Sequence, residues 1–236
     1  MIHNRTLIIG LIAMLFAFSL PAGAQTTVGI RAGVNFSSVS IVKATGERQH
    51  TEMIPRLQAG IAVDIPLAMG LYLQPAAMYV GKGFKQDDAW LVDAGEEFRA
   101  AVSYVEIPVS LLYKKWIGIG NLLVGAGPYV GYGLGGRWEA EGGLVQGDII
   151  RSASNGDVIF KKDWADGEFD LFEKYLYGKP WDYGANVTVG YQFSPRMTLQ
   201  LHAQFGIANL APDVNGAESG ERIRNKGYGL SIAYGF

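Results

Sequence analysis

Five ionisable residues, Arg31, Asp64, Glu106, Lys114 and His202, fall on the smaller, more polar face of segments whose other face is apolar at every second position. If that small face is enclosed, its charges must pair, because an unpaired buried charge is very costly. The expected arrangement is a network of Arg31, Asp64, Glu106 and His202, with Arg31 paired to Glu106 and Asp64, plugging a narrow interior. A gated proton or ion path is the other use of such groups. His202 with Ser110 or Ser231 would supply a base and a hydroxyl for lipid hydrolysis, which also needs an acid within reach. Neither a His-x-Ser pairing nor a Gly-x-Ser-x-Gly elbow accompanies them. Asp163, Asp166, Glu168, Asp170 and Glu173 crowd one stretch, but the twelve-residue calcium-loop pattern is not met and a solvated acidic face is expected. Gly81-Lys-Gly83 and the glycines of 131–136 lack phosphate-loop spacing.

These residues must be held by strands. Eight segments alternate with period two: 28–36, 57–65, 69–82, 101–114, 122–134, 182–193, 197–207 and 227–236. In the last, Tyr228, Leu230, Ile232, Tyr234 and Phe236 share one face, and Gly, Ser and Ala share the other. The bulky face points inward in a soluble barrel and outward in a transmembrane one. Long connections (39–56, 84–100, 137–181 and 209–226) follow odd segments, and short ones (66–68, 116–121 and 194–196) follow even ones. That rhythm is the topology of an outer-membrane barrel with long outer loops and short periplasmic turns.

Aromatic positions support the same orientation. With both termini periplasmic, Phe36, Tyr79, Tyr132, Tyr183, Phe205 and Tyr228 fall toward the outer rim. Tyr113, Tyr191, Phe193, Tyr234 and Phe236 fall toward the inner rim. Two aromatic belts are expected where a wall meets the two membrane interfaces. Pro75, Pro108 and Pro128 lie inside proposed strands, so a bulge or a missing ladder bond is expected at each. A bulge at Pro75 would exchange Ala77 and Tyr79 with Met78 and Val80.

Residues 1–24 read as a secretory signal peptide, with Arg5 early, an apolar stretch over 7–20, and Ala22-Gly-Ala24 before Gln25. Residues 25–236 then form one outer-membrane β-barrel domain with a long external loop, 137–181. No cysteine is present, which removes disulfides, thiol nucleophiles and Cys-based metal sites. A formal charge of −2 is no nucleic-acid footprint. The long loop carries Trp138, Phe160, Trp164, Phe169, Phe172, Tyr175, Tyr177 and Trp181, too many aromatics for a disordered segment. It is expected either to cap the barrel mouth or to bind a partner through Trp164, Phe169, Phe172, Tyr175 and Trp181. Residues 166–177 are expected to form a short amphipathic helix.

Several stretches resemble the small outer-membrane barrels grouped as PorT-like. Gly29-Ile-Arg-Ala-Gly-Val-Asn-Phe-Ser37 is similar to the opening strand of that group. Tyr104-Val-Glu-Ile-Pro-Val-Ser-Leu-Leu-Tyr113 is similar to its Tyr-x-Glu-Ile-Pro strand. Residues 183–193 and 199–210 are similar to its sixth and seventh strands. The resemblance implies a single outer-membrane barrel and accounts for Pro108; it implies no single activity.

The expectation is therefore all-β: an eight-stranded antiparallel up-and-down transmembrane β-barrel of the Gram-negative outer membrane. It would serve as a structural or interaction protein with a plugged lumen, no catalysis, no metal and no cofactor. Its expected partners are outer-membrane lipids, the barrel-assembly machinery reading Tyr228, Leu230, Ile232, Tyr234 and Phe236, and a protein at the external loops. A monomer is expected and no nucleic acid. A lipid-modifying enzyme and a soluble periplasmic lipocalin-like barrel are the alternatives.

Overall fold

Alternation of large apolar with small or polar residues produces eight long strands. They are β1 (Thr27–Val42), β2 (Glu52–Pro66), β3 (Leu71–Asp87), β4 (Glu97–Ile117), β5 (Gly120–Ala140), β6 (Trp181–Gln192), β7 (Met197–Gly206) and β8 (Arg222–Gly235). The computed structural model describes residues 26–87, 97–140, 144–146, 149–151, 155–165 and 174–236. The expected signal segment, 1–24, lies outside them.

Each strand pairs antiparallel with its sequence neighbours, and β8 pairs with β1 from Gly29↔Gly235 to Val42↔Arg222, closing the ring. Turns of a few residues join β2 to β3, β4 to β5 and β6 to β7; the other connections are long. Paired residues starting at Tyr191 on β6 run Leu199, Ile232, Ala32, Ala59, Tyr79, Val105 and Tyr132, then return to β6 at Trp181. The return point is ten residues from the start (191 against 181). Strands of a closed barrel must tilt to absorb such a stagger. Partners on one rung therefore climb from the inner rim, at Tyr191, to the outer rim, at Trp181.

The wall is inverted relative to a soluble core. Val187, Leu199, Leu201 and Ile232 point outward and are 42–59% exposed, whereas Glu106 is 1% exposed in the lumen. The six expected outer-rim aromatics are all exposed, and Trp181 joins them, packed edge-on to Tyr132 at 5.0 Å. Tyr113, Phe193 and Phe236 are exposed at the other rim, beside Trp116. This is the wall of a transmembrane barrel, and it overturns the soluble lipocalin-like alternative, whose apolar face would be enclosed.

The expectations at the prolines resolve as missing pairs, and the bulge that would exchange the faces at Pro75 does not occur. The β3–β4 register is unbroken across Pro75, so Tyr79 stays outward and Met78 and Val80 stay in the lumen. The expected missing pair is found at each proline, on one side only and without a slip: Pro75 lacks its partner on β2, Pro108 on β3 and Pro128 on β4. The irregularities lie elsewhere, between Ser103 and Tyr104 and between Met53 and Gln58. A closed ring tolerates the lost proline donor and shifts register nearer the outer rim, where the polarity of the wall changes.

Above the outer belt the polarity reverts. Val39, Ile41, Phe84, Phe98, Trp138, Val158, Tyr177 and Leu210 are among the residues of one buried apolar cluster. Part of it comes from the long loop. Asn155–Phe160 adds to the outer end of β5, and Lys174–Gly178 lies parallel beside it. Asp163–Trp164 pairs with Asp213–Val214 from the next long connection, and Lys179 Nζ lies 2.8 Å from Asp213 Oδ1. The strand over Lys174–Gly178 replaces the expected helix in that stretch; 166–173 lie outside the described residues.

Candidate functional site

The lumen holds two charged layers beneath the apolar cap. The lower one forms where β2, β3 and β4 approach the inner rim. Lys114 Nζ lies 2.6 Å from Asp64 Oδ2, and Gln74 donates to Asp64 Oδ1 at 2.6 Å. The Lys114 ammonium also sits 4.4 Å from the centre of the Tyr72 ring. Arg31 donates to Gln200 Oε1 at 3.1 Å. This layer borders a cavity of ≈ 340 Å³ near the inner mouth.

The upper layer centres on Lys82, which is 1% exposed. Its ammonium lies 2.5 Å from Glu106 Oε1 and 2.9 Å from Asp182 Oδ2. Glu106 and Asp182 flank Gly131 on the adjacent strands, and a Cβ at Gly131 would come within 3.1 Å of the Glu106 side chain. The glycine thus leaves room for two carboxylates in a barrel barely wide enough for its own side chains.

The other three carboxylate oxygens accept hydrogen bonds, while Glu106 Oε1 meets only the Lys82 ammonium. Gln204 donates to Glu106 Oε2 at 2.7 Å, and Asn225 donates to Asp182 Oδ2 at 2.9 Å. The Tyr129 hydroxyl lies 3.3 Å from both Asp182 oxygens. The rings of Tyr104 and Tyr129 have their centres 5.0 and 4.9 Å from the ammonium. A buried ion pair holds only when its geometry is good and its spare lone pairs are hydrogen-bonded; here the ammonium is close to both carboxylates and three of their four oxygens are hydrogen-bonded.

The layer continues into the cap. The Tyr177 hydroxyl donates to Asn225 Oδ1 at 3.0 Å, and the Phe160 ring packs on Tyr104 with centroids 5.4 Å apart. A Cβ at Gly133 would strike that Phe160 ring at 2.6 Å, so the glycine admits the loop to the lumen. Burial pushes the Tyr175 and Tyr177 hydroxyls above the ordinary phenol range, and Glu221 adds to the effect at Tyr175. Both stay protonated, which fits a cap that excludes water.

Arg31, Asp64, Glu106 and His202 all line the interior, but not as one network. Glu106 pairs with Lys82, Asp64 with Lys114, and Arg31 turns to Gln200. Arg31 and Glu106 share a rung through Gly60 and Met78, but they stand three strands apart. The stagger lifts Glu106 toward the outer end, away from Arg31. Lys82 and Asp182 were absent from the expected network. Asp182 had a signal, since it shares the polar face of its strand with Asn186 and Thr188. Lys82 had little, because Met78 and Val80 make its face of β3 apolar.

The pieces of a hydrolase are not assembled. Ser110 donates to Asn186 Oδ1 at 2.9 Å, and His202 Nε2 lies 3.4 Å from Gln58 Nε2. Among the described residues no hydrogen bond joins His202 to a serine. The candidate partner-binding residues also separate. Tyr175 faces inward against Phe98 at 4.9 Å, and Trp181 belongs to the aromatic belt. Trp164 lies in the small ribbon with Asp213–Val214, while Phe169 and Phe172 lie outside the described residues, as do Asp166, Glu168, Asp170 and Glu173 of the acidic stretch.

A family model described as "Outer membrane protein beta-barrel domain" matches residues 23–211. Among solved structures, the chain is similar to Ail, the attachment invasion locus protein of Yersinia pestis. That likeness has 9% identity and a TM-score of 0.39, and covers 90% of this chain and 99% of that one. Neisserial surface protein A is similar at 11% identity and a TM-score of 0.38, covering 91% and 99%. OprG from Pseudomonas aeruginosa is similar at 11% identity and a TM-score of 0.38, covering 90% and 97%. No curated protein matches the chain.

Proposed function

The chain belongs to the outer membrane protein β-barrel domain family, and from that premise we propose an integral barrel of the cell outer membrane that works as a structural or interaction protein, with its lumen plugged and no catalytic role. The observation that carries this reading is the buried apolar cluster across the outer end, built from strand tips and from the loop residues Val158 and Tyr177. Beneath it, the Lys82–Glu106–Asp182 group adds a second obstacle. Passage of a hydrated ion would require both to open, and an eight-stranded barrel offers little width around them. The commitment of Ser110 to Asn186 rather than to His202 supports the non-catalytic part of the proposal.

Membership of the PorT-like group is part of the same proposal and rests on the 104–113 stretch, whose Tyr104 and Glu106 belong to the upper lumen layer. Recognition of the aromatic C-terminal strand by the barrel-assembly machinery, and a monomeric state, are further parts of it. A protein partner would meet the outer surface around Trp164 and the 207–221 connection, since Tyr175 is turned inward.

Reconstitution into planar lipid bilayers tests the plugged lumen. The refolded protein is expected to give no discrete conductance steps across the range of applied voltage. Regular steps from a homogeneous folded sample would contradict it.

A further inference from the structure

We propose that a groove on the outer wall, just above the aromatic belt, binds the phosphate groups of an outer-leaflet glycolipid of the lipid A class. The groove has a volume of ≈ 580 Å³ and lies across β2 to β5. Arg56, Arg99 and Arg137 line it, with Tyr79 and Leu134 on its membrane side and Glu139 as its one carboxylate. The Tyr79 hydroxyl is held by Ser103 Oγ at 2.6 Å, fixing the floor at belt height. Gly81 makes the shape possible: a Cβ there would come within 2.7 Å of Arg56 Cβ.

Three features identify the occupant. Three guanidinium groups face one carboxylate, a charge balance suited to a polyanion. Arg56 Nε and Arg99 Nε are buried, so these two guanidinium groups can offer the groove only their terminal Nη nitrogens. The paired Nη donors of a planar guanidinium match two oxygens of a phosphate. The groove is also continuous with the lipid-facing wall through exposed Tyr79 and Leu134, so its occupant carries acyl chains below and anionic groups above. This site is independent of whether the lumen is closed.

The test compares two triple variants of the full chain in phosphatidylcholine nanodiscs doped with bisphosphorylated lipid A. One carries Arg56→Gln, Arg99→Gln and Arg137→Gln. The other carries Arg222→Gln, Arg224→Gln and Lys226→Gln, a row of exposed cations on β8 outside the groove. Retained lipid A is counted by native mass spectrometry. Near a charged surface each basic residue contributes about fivefold, so the groove variant is expected to lose affinity on the order of 100-fold. The β8 variant is expected to retain lipid A, and millimolar inorganic phosphate is expected not to displace it.

Equal retention by the groove variant, equal loss in both variants, or displacement by inorganic phosphate would each overturn the proposal. If the triple variant fails to fold, as judged by heat-modifiable migration, the exposed Arg137→Gln alone decides. A loss of about fivefold supports the site and no loss rejects it.

Discussion

Replacing Lys82 with methionine is expected to destabilise the barrel by about 3–5 kcal/mol, because it leaves Glu106 and Asp182 buried without their common counter-ion. The two carboxylates flank Gly131, and the Lys82 ammonium lies within 2.9 Å of both. Hydrogen bonds from Gln204, Asn225 and Tyr129 remain in the variant, but none brings a positive charge. Urea titration of the detergent-refolded protein, read by heat-modifiable migration, measures the change. Combining Lys82→Met with Glu106→Gln and Asp182→Asn is expected to recover most of it, since amides carry no unpaired charge. A single variant as stable as the parent would show that Lys82 does not hold this layer together.

Trp138→Ala is expected to cost about 3–5 kcal/mol as well, but in the cap rather than in the wall. Trp138 is 1% exposed and stacks on Phe98 with centroids 6.1 Å apart, above the lipid-facing band. Its removal leaves a cavity beneath the loop residues that close the barrel mouth. Limited proteolysis should then cut within 141–180 at low protease concentration while the trimmed product still migrates as a folded barrel. Loss of barrel migration with no increase in loop cleavage would place Trp138 in the wall's stability instead.

The two variants separate two layers that differ in how far the sequence reveals them. Within the lipid-facing band, period two is clear: Leu199 and Leu201 point out, and Gln200 and Gln204 point in. The strands are readable there by this alternation, most weakly β3, where Met78 and Val80 make the lumen face apolar as well. Above the belt the reading fails, and β4 shows why. Phe98, Ala100, Val102 and Tyr104 face inward, while Val105 and Ile107 face outward a few residues later. At Tyr104 and Val105 both faces are apolar, so the alternation vanishes and the outer part of the strand reads as a loop. The same reversal hides the outer ends of β3 and β5.

The candidate site was legible by residue type and not by pairing. Arg31, Asp64, Glu106, Lys114 and His202 stand on the lumen face of regular strands, where alternation alone gives the direction. Their partners depend on stagger, and a ten-residue offset around the ring cannot be seen in any one strand. The cap pairing of Asn155–Phe160 with β5 was invisible for another reason: such short strands carry too few residues for a periodic signal.

The central claim is that one continuous outward face meets lipid below the outer belt and water above it. The chain contains no cysteine, so single substitutions at Ile232, Leu230, Tyr228, Lys226 and Arg224, all outward on β8, can each carry one fluorophore. In reconstituted vesicles, probes at 232 and 230 are predicted to be quenched by a lipid-soluble nitroxide and spared by aqueous iodide. Probes at 226 and 224 are predicted to show the reverse, with the crossover at 228. Aqueous quenching at 230 and 232 equal to that at 224 would contradict the account.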